Sequence, residues 1–461
     1  MSARFLPLAA IFALLTLGAG SAPAADRLIP LSSDAICAKC TGYLLPGQLV
    51  QNPHSRYRVD SDLPEIFLTN GVLYTTRPVL PAFEMLDGEE VPLSMRTQRE
   101  IGFQGLNDSV EVFLYHLSRG TEEGETRRVV VLVENTGEVD ALVSPRQIFI
   151  AGPMSAHVGG AESILGERLF LKDFDTPIEP LEVPAGEAAI IGYTVQLNAD
   201  ADGPDTSTAQ FVNGTLRAEV EPLDSGSGER PTLQLTVLAI PGGLQGAEML
   251  PAALELRDTG ARSGESYIDL ATPPTDCHVR RVVGTAYNMM WKSDPVSIDV
   301  SALPAAGADF PIALPANQTV GCEEARQTVD LLLHPLYVHP DSIGNYQMEY
   351  LVHFTLTNSG TSAAPVDLRF GKEDARIGLV WQVEAGEELL DYDEIFTRPV
   401  ELNWAGRGAL TEGLEPPRYE LSFLPDGPVE VPPGGEKHVT LRFLILGTSS
   451  LPFDLIVTAG E

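Results

Sequence analysis

Short runs rich in apolar and β-branched residues recur along most of the chain. Val110–Leu117, Arg128–Asn135, Ala188–Leu197, Phe211–Glu219 and Leu233–Ile240 are each bounded by Gly, Pro, Asn or Asp. Runs of this length, rich in β-branched and aromatic residues and closed by turn formers, predict strands. Several at this spacing predict a β-sandwich over residues 64–241. Ser155–Phe170 breaks the pattern, with Val158, Ile164, Leu165, Leu169 and Phe170 set among small and charged residues, and predicts a short helix crossing one end of that sandwich. Residues 26–63 are polar and irregular. From 242 to 326 the pattern weakens around Pro273-Pro274, Pro304 and Pro315, which predicts an irregular connector. Strand signals resume at Gln327–Tyr337, Tyr346–Thr357, Ala364–Phe370, Ile377–Val383, Tyr419–Phe423, His438–Leu446 and Phe453–Thr458, predicting a second sandwich over 327–461.

The two strand-rich regions echo one another. Val130-Val-Leu-Val-Glu-Asn135-Thr-Gly137 has its counterpart in Val352-His-Phe-Thr-Leu-Thr-Asn358-Ser-Gly360, and Leu181-Glu-Val-Pro184-Ala-Gly186 in Val429-Glu-Val-Pro432-Pro-Gly434. Asn and Gly tolerate the backbone angles that tight turns need, so each echo reads as a strand ending in a turn that leads into another strand. The expected fold class is all-β: two immunoglobulin-like sandwiches sharing one topology, an irregular connector, and one short helix in the first.

Residues 107–240, with Ala151-Gly-Pro-Met-Ser155 leading into Gly166-Glu-Arg-Leu-Phe170, resemble a group of secreted bacterial proteins of unknown function, some of which occur with a copper-amine-oxidase-type N-terminal module. Asn345-Tyr346, the Asn358-Ser359-Gly360 turn and Ser449-Ser-Leu-Pro-Phe-Asp-Leu455 extend the resemblance through the second region. It implies secreted β-sandwiches and carries over no activity or site residue.

Charge and export narrow the function classes. The 461 residues hold 30 Lys+Arg against 64 Asp+Glu, a net charge of −34, which opposes binding to a phosphate backbone or an anionic membrane. Arg4, an apolar run Phe5–Leu17 and Ala22-Pro23-Ala24 form a secretory signal over residues 1–25, and the run is too short to span a bilayer. The expected location is periplasmic, cell-surface or secreted. Four cysteines suit an oxidising compartment: Cys37, Cys40, Cys277 and Cys322. The preferred pairing is Cys37 with Cys40 and Cys277 with Cys322, the latter closing a loop whose constraint is worth roughly 4 kcal/mol in the chain-entropy model. A four-Cys zinc site and a redox Cys-x-x-Cys are the alternatives.

Asn198-Ala-Asp200-Ala-Asp202-Gly203-Pro-Asp205 is the one organised ligand pattern. Alternating oxygen ligands and a Gly at the sixth position suit Ca²⁺, so Asn198, Asp200, Asp202 and Asp205 are the candidate metal ligands; an acidic, solvated hairpin loop is the alternative, because Ala209 stands where a bidentate Glu would complete an EF-hand loop. His334 and His339 flank Pro-Leu-Tyr-Val at an odd separation that puts them on opposite faces of a regular strand. No nucleophile elbow, zinc-protease helix, P-loop or dinucleotide fingerprint occurs. Acid pairs such as Asp391-Tyr-Asp393-Glu394 are abundant enough to form by chance. Of the tryptophans, Trp381 reads as core and Trp291 as packing the connector onto a sandwich. The expected function is a non-enzymatic structural or interaction protein with a protein or cell-surface partner. An extracellular hydrolase with an acidic site between the sandwiches, and a calcium-stabilised adhesion or carbohydrate-binding module, are the alternatives.

Overall fold

The computed structural model describes residues 29–460 apart from 31–42, 62–65, 68, 78–82, 87–88, 93–94, 98–102, 119–124, 154–165, 167, 175, 199–209, 227, 261–282, 304–309, 314–328, 336–340, 343–347, 373–377, 404–408, 412–417 and 447–453. The chain is mostly β and is built from several sheets. Leaving aside the shortest edge pieces, its strands begin with β1 (Tyr43–Leu44), β2 (Gly47–Gln51), β3 (Tyr57–Ser61) and β4 (Gly71–Thr75). Next come β5 (Val110–Ser118), β6 (Thr126–Asn135), β7 (Ala141–Pro153), β8 (Leu181–Val183), β9 (Ala188–Tyr193), β10 (Gln210–Pro222) and β11 (Leu233–Pro241). Helix α1 (Met249–Thr259) precedes β12 (Val283–Tyr287), β13 (Met289–Ser293), β14 (Val296–Asp299) and β15 (Phe310–Ala313). The last series is β16 (Val329–Pro335), β17 (Glu349–Thr357), β18 (Ala364–Lys372), β19 (Leu379–Gly386), helix α2 (Tyr392–Phe396), β20 (Arg418–Ser422), β21 (Val429–Val431), β22 (Glu436–Ile445) and β23 (Asp454–Ala459).

Two apolar cores organise these strands. The sheet running β7-β10-β5-β3-β12-β16 and the sheet β9-β6-β11-β4 enclose the first core, where Val112 and Leu114 of β5 meet Val129, Val131 and Val133 of β6. The unbroken run Val129–Val133 is explained by burial on both faces, since Val130 and Leu132 point the other way, onto Met249 and Ala253 of α1. The second core lies between β19-β22-β17-β13-β2 and β1-β15-β23-β18-β20. Alternation is strict there. Tyr350, Val352, Phe354 and Leu356 of β17 face the core with Val439, Leu441, Phe443 and Ile445 of β22, and the rings of Tyr350 and Phe443 stack at 4.7 Å. Trp381 is buried in this core and donates its indole N–H to the Phe423 carbonyl at 3.1 Å.

The sequence echoes correspond to one repeated hydrogen-bond set. Asn135 Nδ2 donates to the Val139 and Val183 carbonyls at 2.8 and 2.9 Å, and Asn358 Nδ2 donates to those of Ser362 and Val431 at 2.8 and 2.9 Å. Each Asn Oδ1 accepts from the Gly two residues on, at 3.1 and 2.9 Å. Each Asn carbonyl accepts from Gly186 or Gly434, whose φ of +80° and +64° favour glycine. The flanking registers match as well: Ala141↔Val183 and Val143↔Leu181 in one, Ala364↔Val431 and Val366↔Val429 in the other.

A two-stranded strap joins the two sheet pairs. β2 lies antiparallel to β13 in the second pair, and β3 lies antiparallel to β12 in the first. The chain crosses between them at Asn52–Arg56, where Asn52 N–H donates to the Asn288 carbonyl and Asn288 N–H to that of Arg56, both at 2.8 Å.

The strap corrects two expectations. Residues 26–63 were expected to be irregular, yet they contain β1, β2 and β3. The stretch 242–326 was expected to be an irregular connector, yet it contains α1 and β12 to β15. The misreading has a physical cause. Arg58 and Asp60 of β3 are buried against each other rather than solvated, so one face of the strand reads as charged and only Tyr57 and Val59 on the other signal a core. Helical residues Gly166 and Arg168–Phe170 do fall within the expected helix. Instead of crossing the sheet pair of their own region, they seat Leu169 and Phe170 on Val380, Leu444 and Leu446 of the other sheet pair.

Candidate functional site

The outward face of β17, β22 and β19 carries Glu349, Arg442 and Gln382, and all three are fully buried. They are covered by the helical residues Gly166 and Arg168–Phe170, by Lys172, by α2 and by the strap crossing. Sheet pleat puts the three side chains on one face, and the register that pairs Gln382 with Arg442 on neighbouring strands brings them together. Arg442 donates through Nε and Nη2 to Glu349 Oε2 at 3.0 and 2.7 Å, through Nη1 to Gln382 Oε1 at 2.6 Å, and through Nη2 to the Phe170 carbonyl at 2.8 Å. Its guanidinium carbon lies 3.8 Å from the Phe170 ring centroid, with the rings of Phe396 and Tyr392 at 4.8 and 5.0 Å.

Lys172 joins this cluster to the first sheet pair. Its Nζ is 2.8 Å from Glu349 Oε1 and 3.8 Å from Glu111 Oε2 on β5. Lys172 N–H donates to the Leu169 carbonyl at 3.1 Å, closing the helical turn, and φ is +55°, the left-handed cap that Gly ordinarily supplies. A lysine there costs about 1–2 kcal/mol of backbone strain, which its bridge between two buried carboxylates offsets. Asn52 of the strap adds a contact to Glu349 Oε1 at 3.3 Å.

His54, in the strap crossing, completes the cluster. Tyr392 donates its hydroxyl proton to Glu349 Oε2 at 2.6 Å, so the hydroxyl oxygen accepts from His54 Nε2 at 2.8 Å. The imidazole packs near the Phe396 and Tyr392 rings at 5.7 and 5.8 Å. Burial, with Lys172 nearby, lowers the His54 pKa to about 4. Burial alone would raise the Glu349 carboxyl, but Lys172 and Arg442 outweigh it and hold that carboxyl well below its usual range. Burial also pushes the Tyr392 hydroxyl up, so it remains a proton donor.

A second polar pair, Ser61 Oγ and His116 Nε2 at 3.0 Å, has the spacing of a nucleophile and its base. Both side chains are fully buried and the imidazole meets the Phe67 ring edge-on, so the pair is enclosed in the first sheet pair.

The expected site residues fall elsewhere. Asn198 is in the short strand Leu197–Asn198, and its side chain together with Asp200, Asp202 and Asp205 lies outside the described residues. Cys37, Cys40, Cys277, Cys322, His339, Trp404 and the export signal also lie outside them. Among the described residues, no group of three or more His, Cys, Asp or Glu is placed to hold a metal, and no helix is long and apolar enough to cross a membrane. The buried cluster was missed because its members are far apart in sequence. A signal existed in Arg442, a charge inside the apolar run Val439–Leu446, and in Glu111 within Val110-Glu-Val-Phe. Compared with family models and with curated proteins, the sequence matches none.

Proposed function

We propose that the chain is an exported, non-enzymatic interaction or structural protein of the cell envelope, built from two immunoglobulin-like β-sandwiches held in fixed relation. The observation that carries this reading is the closed state of the cluster between the sheet pairs. Glu349 accepts from Lys172, Arg442, Tyr392 and Asn52, so its carboxylate is enclosed and held ionised. A general acid needs a raised pKa and a path to substrate, and Glu349 has the opposite environment. Repetition of the Asn-turn bonds in both regions supports the shared sandwich topology. The signal over residues 1–25 and the acidic composition support an exported, soluble exterior.

Crosslinking on intact cells of the native host, followed by fractionation, tests the reading. The expected result is one surface partner crosslinked by the folded chain. Hydrolysis of a polysaccharide or peptide by purified protein, lost in a folded Glu349→Gln variant, would establish the hydrolase reading in its place.

A further inference from the structure

We propose that acid unlatches the two sheet pairs from one another, and that His54, at the crossing point of the strap, is the group whose protonation does it. This deepens the reading of the chain as a two-sandwich interaction protein by giving its geometry a trigger.

The position of His54 is the first support. Residues Asn52–Arg56 are where the strap passes from β2 in one sheet pair to β3 in the other. His54 N–H donates to Asn52 Oδ1 at 2.9 Å, and its ring holds Tyr392 of α2, so this one residue ties the crossing to the second sheet pair. Motion of the crossing away from α2 breaks that contact.

The second support is the charge around the ring. Glu349 faces it from β17, Glu111 from β5, Arg217 from β10 and Lys172 from the end of the helical turn. Arg442 of β22 lies behind Tyr392. On α2, Asp391 and Glu394 cap each other at the exposed end, beside Asp393. Among these described neighbours, three buried or half-buried cations stand against two buried carboxylates, and both carboxylates already hold Lys172 between them. A proton on His54 adds a fourth cation to a closed, low-dielectric cluster. Separation of the sheet pairs relieves it by admitting water.

The linkage has a definite sign. The folded pKa, lowered to about 4, lies below the ordinary imidazole value of 6.5, so closure is fully favoured above pH 6.5 and loses ground as pH falls toward 4. With the shift discounted for the ring's partial exposure, the open-to-closed ratio rises about tenfold from pH 7.5 to 5.

Backbone hydrogen exchange, corrected for its intrinsic pH dependence, tests this on the isolated full chain. Protection along 47–61 and 283–293 is expected to fall about tenfold at pH 5, while β6, β11 and β22 keep theirs. His54→Gln retains a donor for Tyr392 and takes up no proton, so its strap protection is expected to stay constant. Equal loss in wild type and His54→Gln overturns the proposal. So does a response that vanishes in His353→Gln instead, the competing imidazole, which burial also holds low and which bonds the Leu390 carbonyl at 3.0 Å. If His54→Gln does not fold, the ring is titrated by NMR in the unaltered protein. A midpoint lowered toward about 4 is expected, and one not lowered from the free value of 6.5 refutes the proposal. These readouts need no partner and no activity, so this proposal and the functional reading fail separately.

Discussion

Replacement of Lys172 by Met tests whether the buried cluster is what holds the sheet pairs together. The substitution keeps the stem and removes an ammonium that lies 2.8 Å from Glu349 and 3.8 Å from Glu111. At an effective dielectric of about 20, those separations correspond to roughly 6 and 4 kcal/mol of attraction. Several kcal/mol are returned because the ammonium no longer has to be desolvated, and Arg442 and Tyr392 still serve Glu349. The expected net loss is about 3–5 kcal/mol, as for other buried pairs broken from one side. Urea denaturation read by tryptophan fluorescence suits the measurement, since Trp291 and Trp381 both report the second core. The decisive comparison is a cycle with Glu349→Gln. Neutralising both partners removes the stranded charge, so Lys172→Met with Glu349→Gln is expected to cost about 2 kcal/mol less than the two single changes added. Additivity within about 0.5 kcal/mol would refute the coupling. A pH series supplies a second check. A carboxyl held below its ordinary value of 4.5 contributes stability that is present above that value and lost as pH falls through the folded value. Without Lys172 the folded value moves up, so the acid-unfolding midpoint is expected to rise by about 0.5–1 pH unit.

Further outcomes follow from other contacts. Asn135→Ala and Asn358→Ala each remove two donors to backbone carbonyls and the acceptor for a turn N–H. Each is expected to cost about 2–3 kcal/mol, with exchange protection lost at Gly137 in the first variant and at Gly360 in the second. Gly166→Val places a Cβ 2.7 Å from Leu446 Cδ2, and unseating of the helical turn is expected to lower stability by about 1–3 kcal/mol in the same urea assay. If the Asn198–Asp205 loop holds calcium, chelator lowers the melting temperature of the wild type, and Asp200→Ala with Asp202→Ala abolishes that response. Non-reducing peptide mapping is expected to show Cys277 linked to Cys322, and free thiols at both would refute that pairing.

What could be read in the sequence tracks how each residue is buried. Strands such as β6, β11, β17 and β22 were legible because their buried positions are apolar, and so were the two turns built on Asn135 and Asn358. The strap was not, since β3 buries Arg58 and Asp60 as a pair and the prolines around β15 resemble a connector. Lys172, Glu349 and Arg442 sit in three separate segments, and only pairing of distant strands brings them within bonding distance. Local pattern therefore recovers each core, while the groups that join the cores depend on the tertiary arrangement.

The same comparison explains why the join would respond to acid when the cores do not. Superposing the Asn turns places Val130 of β6 opposite His353 of β17, and Leu132 opposite Thr355. In the first sheet pair this outward face is apolar at Val130 and Leu132, where Met249 and Ala253 of α1 cover it, and ends in the Glu134–Arg257 ion pair at 3.0 Å. The apolar part of that cover carries no ionisable group, and its stabilisation scales with buried area. In the second sheet pair the equivalent face carries Glu349, His353 and Arg442, and its cover comes from the other region through Phe170 and Lys172. One strand architecture thus bears two kinds of cover. The apolar one seals a sheet whatever the proton concentration; the charged one holds only while Glu349 is ionised and His54 is neutral. Exchanging the character of the second face tests this directly. A variant with Glu349→Leu, Lys172→Met, Arg442→Leu and Glu111→Gln together is expected to keep its strap protected at pH 5, because it strands neither buried carboxylate and has fewer cations near His54. Strap opening at pH 5 equal to that of the wild type would show that the acid response originates outside the cluster.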